Sequence, residues 1–381
     1  MNRTSQWLLG LTVLLTLLML TVFGWGHGNV KRYRLEPTTK LTATNTDSLY
    51  SETAFEQTMK KYTDFNTLAL IDRVQGDTAT SLNYRDFAII PGLKATRTLN
   101  LTSGEIEMCT TMTPQGVTIA GQYLISSAYD HDQQHNSVLY VQDLTTHKLL
   151  TTVVLQGHPH VGGITYDPIA KQVWVCGRRD GYAEVFSIAL NKLVKYDLDA
   201  SQAPIKYTQR VLLGTISRAS FITYHDQSLY VGFFNPRRGG NVQRYQLSKT
   251  GRIENNTFTY RLKNQLNVFV SAVFRQDILT QIQGMAFYDG YAILSQSYGP
   301  GNSKLYIFKE DKTQRTFRKS EAVAVFKMPS HLEQISAHDG RLYTIYESSA
   351  YAYRKNSHNH IDRIVSMDLK DFINLVLKGA D

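Results

Sequence analysis

Short apolar strands separated by polar turns recur along the chain from about residue 95 onward. Each recurrence has a polar lead-in, an apolar strand, an Asp- or Gly-containing turn, a second apolar strand, a loop and a third strand. Alternation of apolar and polar residues with a period of two is typical of half-buried β-strands. The first two strands of the five recurrences fall in Thr113–Tyr129, His160–Gly177, Arg218–Phe234, Gln281–Gly299 and His331–Ser349.

The recurrences are regularly spaced. Equivalent positions are 47, 58, 63 and 50 residues apart when the segments are aligned on Val117, Ile164, Ile222, Met285 and Ile335. Periods of about 40–50 residues with several short strands in each unit are typical of β-propeller blades. The pattern therefore predicts an all-β chain in which residues 94–370 form a β-propeller.

A fourth apolar run follows each third strand and is clearest in His147–Leu155 and Glu321–Met328. The last recurrence has little room for its own fourth strand, whereas Lys94–Leu101 has the pattern of one. Closing the ring with a strand from the opposite end of the chain removes exposed sheet edges. We predict five four-stranded blades closed by Lys94–Leu101. Six blades are the alternative, if residues 60–93 or the long third unit contain another blade.

An uncharged apolar segment of 19 residues runs from Trp7 to Trp25. As a helix it is long enough to cross a hydrocarbon core of about 30 Å, and flanking tryptophans suit the membrane interface. A signal peptide is the alternative, although no small-residue cleavage site follows. We predict a single-pass anchor in the cell membrane with the propeller outside, as in exported anchored proteins. By the positive-inside rule alone, Lys31, Arg32 and Arg34 favour the opposite orientation.

The rest of the predicted organisation consists of short segments. Residues 1–6 form a polar head before the anchor at 7–25, residues 26–93 form a membrane-proximal stalk, and residues 371–381 form a C-terminal tail. Within the stalk, Ser51–Leu70 has the pattern of an amphipathic helix that begins at a serine cap.

The chain carries a formal net charge of +9 and has a pI near 9.3. Such an excess attracts polyanions. Besides the membrane, we therefore expect an anionic polymer or a protein as partner. The numerous aromatic residues are attributed to blade cores rather than to base stacking, so no nucleic acid is expected.

Cys109 and Cys176 form neither a CxxC motif nor a zinc-binding spacing. Each is expected to pack as a small buried hydrophobic residue. The histidine-containing stretches HDQQH, HPH and HNH have no diagnostic metal-ligand spacing. The sequence therefore predicts no resident cofactor or metal, with a calcium ion in the channel as the remaining option.

In a four-stranded blade, the loop leading into strand one and the loop joining strands two and three lie on the same face, called here the top face. Ligands of propellers usually bind there, near the central channel. Arginine, tyrosine and amide side chains suit carboxylate or phosphate groups. The predicted ligand-binding residues are Gln115, His131, His135, His160, Arg178, Arg179, Arg218, Arg237, Arg238, Gln283 and Tyr298.

Two functional classes remain open. The first is a binding or scaffold module for an anionic or polar envelope ligand or a protein partner. The second is an enzyme with its site in the channel, in which His160, Gln283, His331 and Glu333 would provide acid–base chemistry. No P-loop, dinucleotide-binding glycine motif or nucleophile elbow is present in the sequence.

The segments PQGVTIAGQYLISSAY, NSVLYVQDL and HVGGITYDP resemble bacterial secreted or surface β-propellers of the YncE-like kind with YVTN-type repeats. A second resemblance, to the plant-type glutaminyl cyclotransferases, is carried by Thr280–Met285 and by Ser297–Gly299 with Ser303. That resemblance implies a five-bladed propeller enzyme in which Gln283 and Tyr298 would matter. Leu294 stands where that family has a glutamate.

Overall fold

The computed structural model describes residues 42–63, 87–262, 265–370 and 373. The predicted head and anchor, and the C-terminal tail apart from residue 373, lie outside these ranges. No helix in the described ranges is both long and apolar enough to span a membrane.

Five antiparallel four-stranded blades make up most of the described chain, and one of them is extended to a six-stranded sheet by an added hairpin. Blade 1 is β4–β7, blade 2 is β8–β11, blade 3 is β12–β14 with β17, blade 4 is β18–β21, and blade 5 is β22–β24 with β1. In chain order the elements are α1 (Glu52–Tyr62), β1 (Ala88–Ile89), β2 (Thr96–Leu99), β3 (Ile106–Cys109), β4 (Met112–Ala120), β5 (Tyr123–Asp130), β6 (Val138–Asp143), β7 (Leu149–Val154), β8 (Ile164–Asp167), β9 (Gln172–Arg179), β10 (Tyr182–Ala189), α2 (Leu190–Val194), α3 (Leu198–Ser201), β11 (Gln209–Leu213), β12 (Phe221–His225), β13 (Ser228–Phe233), β14 (Gly240–Gln246), β15 (Thr257–Leu262), β16 (Gln265–Val270), β17 (Phe274–Ile278), β18 (Ile282–Tyr288), β19 (Tyr291–Gln296), β20 (Ser303–Lys309), a 3-10 turn (Lys319–Glu321), β21 (Ala324–Met328), β22 (Leu332–His338), β23 (Arg341–Tyr346) and β24 (Arg363–Asp368).

The first strand of each blade is its inner strand. The inner strands contact one another in the order β4, β8, β12, β18 and β22, and β22 returns to β4. Apolar residues of neighbouring blades form shared clusters between the sheets. The ring is therefore a closed five-bladed β-propeller, as predicted, and the fourth strands predicted in His147–Leu155 and Glu321–Met328 are present as β7 and β21.

The predicted closing strand was wrong. Blade 5 is completed by β1, in which Ala88 pairs with Ile364 and Ile89 with Arg363. The predicted segment Lys94–Leu101 instead contains β2, which forms a separate hairpin with β3. Alternation identifies a segment as a strand, but it does not specify which sheet edge the chain can reach.

The six-blade alternative is also excluded by the pairing. The extra length of the third unit forms the hairpin β15–β16, which leaves blade 3 and joins blade 2, where β16 pairs in parallel with β11. Large apolar side chains remain exposed on this hairpin, among them Tyr260 and Leu266. The long second spacing is accounted for by α2 and α3, inserted between β10 and β11.

The described part of the predicted stalk packs on the propeller. The side chain of Ser51 caps α1 by accepting a hydrogen bond from the backbone of Ala54, so this helix begins where predicted. Phe55 and Met59 on its apolar face are buried against the core of blades 4 and 5. Just before the helix, the backbone N–H of Tyr50 donates to the buried carboxylate of Asp362.

Glycines allow the inner strands to approach closely. A β-carbon at Gly163 would lie 2.6 Å from the backbone nitrogen of Ile222, and one at Gly284 would lie 2.8 Å from that of Ile335. Both obstacles are backbone atoms of the next blade, which cannot move without opening the ring. A narrow five-bladed ring therefore depends on the absence of side chains at these positions.

We expect Gly163→Ala to lower the free energy of unfolding by about 1–3 kcal/mol, the usual cost of overpacking. Gly301→Ala is the matched control, because a β-carbon there meets nothing within 4 Å, and its effect should stay within about 0.5 kcal/mol. Urea unfolding of both variants measures the difference. Equal stability of the two variants would contradict this account of ring closure.

Candidate functional site

Irregularities in three inner strands place polar side chains at the top of the channel. The pairing register shifts between Pro114 and Gly116 in β4, between Ile282 and Gly284 in β18, and between Leu332 and Ile335 in β22. The residues in these bulges are Gln115, Gln283, Glu333 and Gln334. A bulge redirects a side chain and is frequent beside functional sites.

Glu333 and Glu347 form a hydrogen-bonded pair of carboxyl groups, called here the carboxyl pair. The Gln283 side-chain amide donates to Glu333 Oε1 at 3.1 Å, and the Gln115 amide donates to Glu347 Oε2 at 2.9 Å. Glu333 is 4% exposed, whereas Glu347, at the start of the β23–β24 loop, is partly open to solvent.

Burial raises the pKa of both members of the carboxyl pair, and the charge of Glu347 raises that of Glu333 further. Two carboxylates in contact cannot both ionise easily, so the pair titrates as a unit and keeps at least one proton at neutral pH. The two amide donors each engage one oxygen of the pair and hold the two side chains in place.

Aromatic rings lie near the carboxyl pair, since Tyr129 and Tyr353 are both close enough for the charge of Glu347 to raise their pKa values. The rings of Tyr129 and His160 lie 4.4 Å apart, and His131 lies 5.6 Å from Tyr353, measured between centroids. Burial, followed by the charge of Glu347, raises the pKa of Tyr353 to about 12. Burial and the neighbouring Tyr353 raise the pKa of Tyr129 well above its usual range. Both phenols therefore stay protonated at neutral pH.

The two predicted catalytic histidines are neutral at pH 7. Crowding by the surrounding protein, followed by the charges of His131 and Arg218, lowers the pKa of His160 to about 4, although His160 is exposed at the surface. Burial, followed by the charge of His360, lowers the pKa of His331 to about 4. His331 Nδ1 lies 3.0 Å from the hydroxyl of Ser330. These imidazoles line the site without adding positive charge.

A buried glutamine fills the channel beneath the carboxyl pair. Gln334 Oε1 accepts hydrogen bonds from the backbone nitrogens of Val117 at 3.1 Å and Ile164 at 2.9 Å. Its Nε2 donates to the carbonyls of Ile164 at 2.6 Å and Ile222 at 2.8 Å. One side chain from blade 5 thus joins the unpaired inner edges of blades 1, 2 and 3.

Gln334 and Glu347 were not among the predicted site residues. Gln334 occupies the repeat position held by glycine in three of the other four repeats (Gly116, Gly163 and Gly284) and by Phe221 in the remaining one, so a buried polar residue there was a signal in the alignment. Glu347 had no such signal, because it lies in the loop of a single blade.

The backbone around the channel is strained at three places. Val161, Gln281 and His331, in loops that lead into inner strands, have φ values of 49°, 62° and 59°. The left-handed region is costly for a β-branched residue such as Val161, and strain of this kind clusters at functional sites.

The structure places the other predicted residues differently. Arg218 lies close enough to His160 for its positive charge to lower the pKa of that histidine. His135 faces Asp130 and Glu107, and Arg179 lies 3.3 Å from the buried carboxylate of Glu184. Within the described ranges, the remaining predicted residues are exposed and form no hydrogen bond or ion pair with the carboxyl pair: Arg178 near the end of β9, and Arg237, Arg238 and Tyr298 in loops.

No protein-family model matches the chain, and no curated protein matches it. Among solved structures, a PQQ-bound aldose sugar dehydrogenase from Streptomyces coelicolor is 16% identical, covers 61% of this chain and 74% of its own, and has a TM-score of 0.37. The β-propeller domain of the trilobed protease from Pyrococcus furiosus is 8% identical, covers 61% and 78%, and has a TM-score of 0.31. A nidogen/laminin complex is 13% identical, covers 74% and 88%, and has a TM-score of 0.39. The strand pairing of the chain itself identifies it as a five-bladed β-propeller.

Proposed function

We propose that this chain is a ligand-binding β-propeller that takes a polar, amine-bearing ligand at the top of its channel. The observation that carries the proposal is the carboxyl pair, a coupled acid that reaches solvent through Glu347 and lies near the aromatic rings of Tyr129 and Tyr353. An ammonium group in contact with the pair would favour the loss of one of its protons, which would leave the pair with a single negative charge.

Three features of the site favour a protonated amine over an anion. The carboxyl pair at its centre can take up a negative charge but no positive one, and the amide donors beside it are already engaged. His160 and His331 are neutral at pH 7 because their pKa values are lowered to about 4. The faces of aromatic rings attract cations by about 0.5–2 kcal/mol each. An ammonium group would therefore gain a charge-assisted hydrogen bond together with aromatic contacts.

Matched probes that differ only in charge test the proposal. Benzylamine, benzyl alcohol and benzoate share one ring and carry charges of +1, 0 and −1. For the full chain at pH 7, we expect calorimetry to give benzylamine an affinity at least tenfold higher than either relative. A tenfold ratio corresponds to about 1.4 kcal/mol.

Two variants locate the binding. Glu347→Gln imitates the protonated member of the pair and leaves Glu333 able to ionise against a bound ammonium group, so benzylamine binding should persist. The double variant Glu333→Gln with Glu347→Gln removes the charge and should weaken binding at least tenfold. Tighter binding of benzoate, or unchanged binding in the double variant, would refute the proposal.

The membrane anchor and a partner at the protein surface also belong to the proposal. Residues 7–25 would hold the propeller at the outer face of the cell membrane, since they form an uncharged apolar stretch of sufficient length. The exposed arginines Arg178, Arg237 and Arg238 would then face an anionic envelope polymer or a protein partner.

An enzyme is the second candidate, and a specific observation favours it. An acid whose pKa is raised by burial, beside a neutral histidine, is a common arrangement for general acid–base catalysis. Turnover of an N-terminal glutamine peptide or of a lactone, abolished in the double carboxyl-pair variant, would assign the site to catalysis.

A further inference from the structure

A second cluster of reactive side chains lies beside blade 1, where the β2–β3 hairpin meets the β5–β6 loop. Cys109 ends β3, Asp130 ends β5, and His135 lies in the loop that follows. One sulfur, one carboxylate oxygen and one imidazole nitrogen lie within 4.8 Å of one another. Cys109 and Asp130 are fully buried, and the His135 side chain is 14% exposed.

The carboxylate of this cluster is fixed in place before any ligand arrives. Asp130 Oδ1 accepts a hydrogen bond from the backbone nitrogen of Asp132, and Oδ2 accepts from those of Gln134 and His135, at 3.1, 2.8 and 3.0 Å. The hydroxyl of Thr111 donates to Oδ1. Ligating carboxylates in metal sites are commonly held by such outer hydrogen bonds.

The histidine has the outer partner that metal-bound imidazoles usually have. His135 Nδ1 lies 2.9 Å from Asp130 Oδ2, and Nε2 lies 3.3 Å from Glu107 Oε2. Glu107 is itself held by the side-chain amide of Asn100 at 3.0 Å. A carboxylate on the nitrogen remote from the metal fixes the ring orientation and raises its basicity as a ligand.

We propose that Cys109, Asp130 and His135 bind a zinc ion, with Glu107 as the outer partner of the histidine. Thiolate and imidazole ligands select zinc or its chemical relatives over calcium and magnesium, which prefer oxygen. Binding releases to solvent the thiol proton of Cys109 and the proton between Nδ1 and Oδ2. That N–O separation then widens from 2.9 Å to about 3.3 Å, the tetrahedral spacing for metal bonds of about 2.0–2.1 Å.

Three protein ligands leave the fourth tetrahedral position to water. The zinc would tie the β2–β3 hairpin to the β5–β6 loop. That loop also carries His131, whose ring contacts Tyr129 and Tyr353 beside the carboxyl pair. Metal binding would therefore hold His131 in position at the edge of the proposed ligand site, although the metal itself would lie outside that site.

The described ranges contain a second group of possible metal ligands, whose charge environment is less suitable for a cation. It consists of His225, Asp226 and Glu310. Asp226 in this group is paired with the ammonium of Lys312 at 2.7 Å. A lysine charge occupies the position that a cation would need, whereas no lysine or arginine of the described ranges forms an ion pair with Cys109, Asp130 or His135.

Cobalt substitution tests the zinc site directly. The full chain, reduced and stripped with EDTA, is titrated with Co²⁺ under nitrogen. We expect one equivalent to produce a sulfur-to-cobalt charge-transfer band in the near ultraviolet with the visible bands of a tetrahedral site. One equivalent of Zn²⁺ should then remove both. Absence of the charge-transfer band in the wild type would overturn the proposal without any variant.

The chain offers a matched cysteine control. Cys109→Ser should lose the charge-transfer band, whereas Cys176→Ser, at the other buried cysteine, should keep it. Glu107→Gln leaves the three ligands in place and should lower zinc affinity by about 10–100-fold. A charge-transfer band that survives in Cys109→Ser, or that is lost equally in both cysteine variants, would contradict Cys109 as the zinc ligand. Unchanged zinc affinity in Glu107→Gln would contradict Glu107 as the outer partner of His135.

Discussion

Replacing Gln334 by methionine should lower the free energy of unfolding by about 3–5 kcal/mol. Methionine has a similar volume and flexibility, so the substitution removes hydrogen bonds with little change in packing. It leaves the backbone nitrogens of Val117 and Ile164 and the carbonyls of Ile164 and Ile222 without their side-chain partner. Each buried polar group left unpaired costs about 1–3 kcal/mol, part of which local relaxation recovers.

Urea unfolding of the full-length protein measures this loss in the free energy of unfolding. Gln122→Met is the matched control, because Gln122 is exposed and its side chain bonds only the neighbouring Tyr123 hydroxyl. Its effect should remain within about 0.5 kcal/mol. A loss below about 1 kcal/mol for Gln334→Met would mean that the ring does not depend on this side chain.

Replacing Glu347 by glutamine should stabilise the protein at pH 8 by about 2–3 kcal/mol and leave it unchanged near pH 4. The folded state keeps a proton that unfolded glutamates lose above a pKa of about 4.3. Because the pKa of Glu347 is raised, to about 8, the native state binds more protons than the unfolded state across this interval. Wild-type stability therefore falls as the pH rises from about 4.3 to 8.

Glutamine in place of Glu347 imitates the protonated acid and removes the second ionisation. It can still accept from Gln115 and can donate to Glu333, so the local hydrogen bonds are retained. One pKa unit corresponds to about 1.4 kcal/mol, and we discount the full shift because Glu347 is partly exposed. Urea midpoints measured between pH 4 and 8.5 should fall less steeply in the variant. Exposed Glu105→Gln controls for net charge, and a slope equal to the wild type in Glu347→Gln would contradict a shared proton.

The sequence by itself specified the strands, their grouping into five blades and the face on which polar residues gather. This information is local, because alternation along a strand and the spacing of turns are properties of neighbouring residues. The repeat alignment also placed Gln115, Gln283 and Glu333 at equivalent positions, and all three lie in bulges at the top of the channel.

The tertiary structure decided which of these segments and side chains meet. Ring closure uses Ala88–Ile89 instead of Lys94–Leu101, and the β15–β16 hairpin joins blade 2 after leaving blade 3. Glu347 reaches Glu333, and Gln334 reaches three other blades, only because the closed ring brings five inner strands around one axis. Alternation repeats identically in every blade, so it cannot specify a partner. The partner is set by the distance that the chain must span and by the few buried polar groups that must be paired.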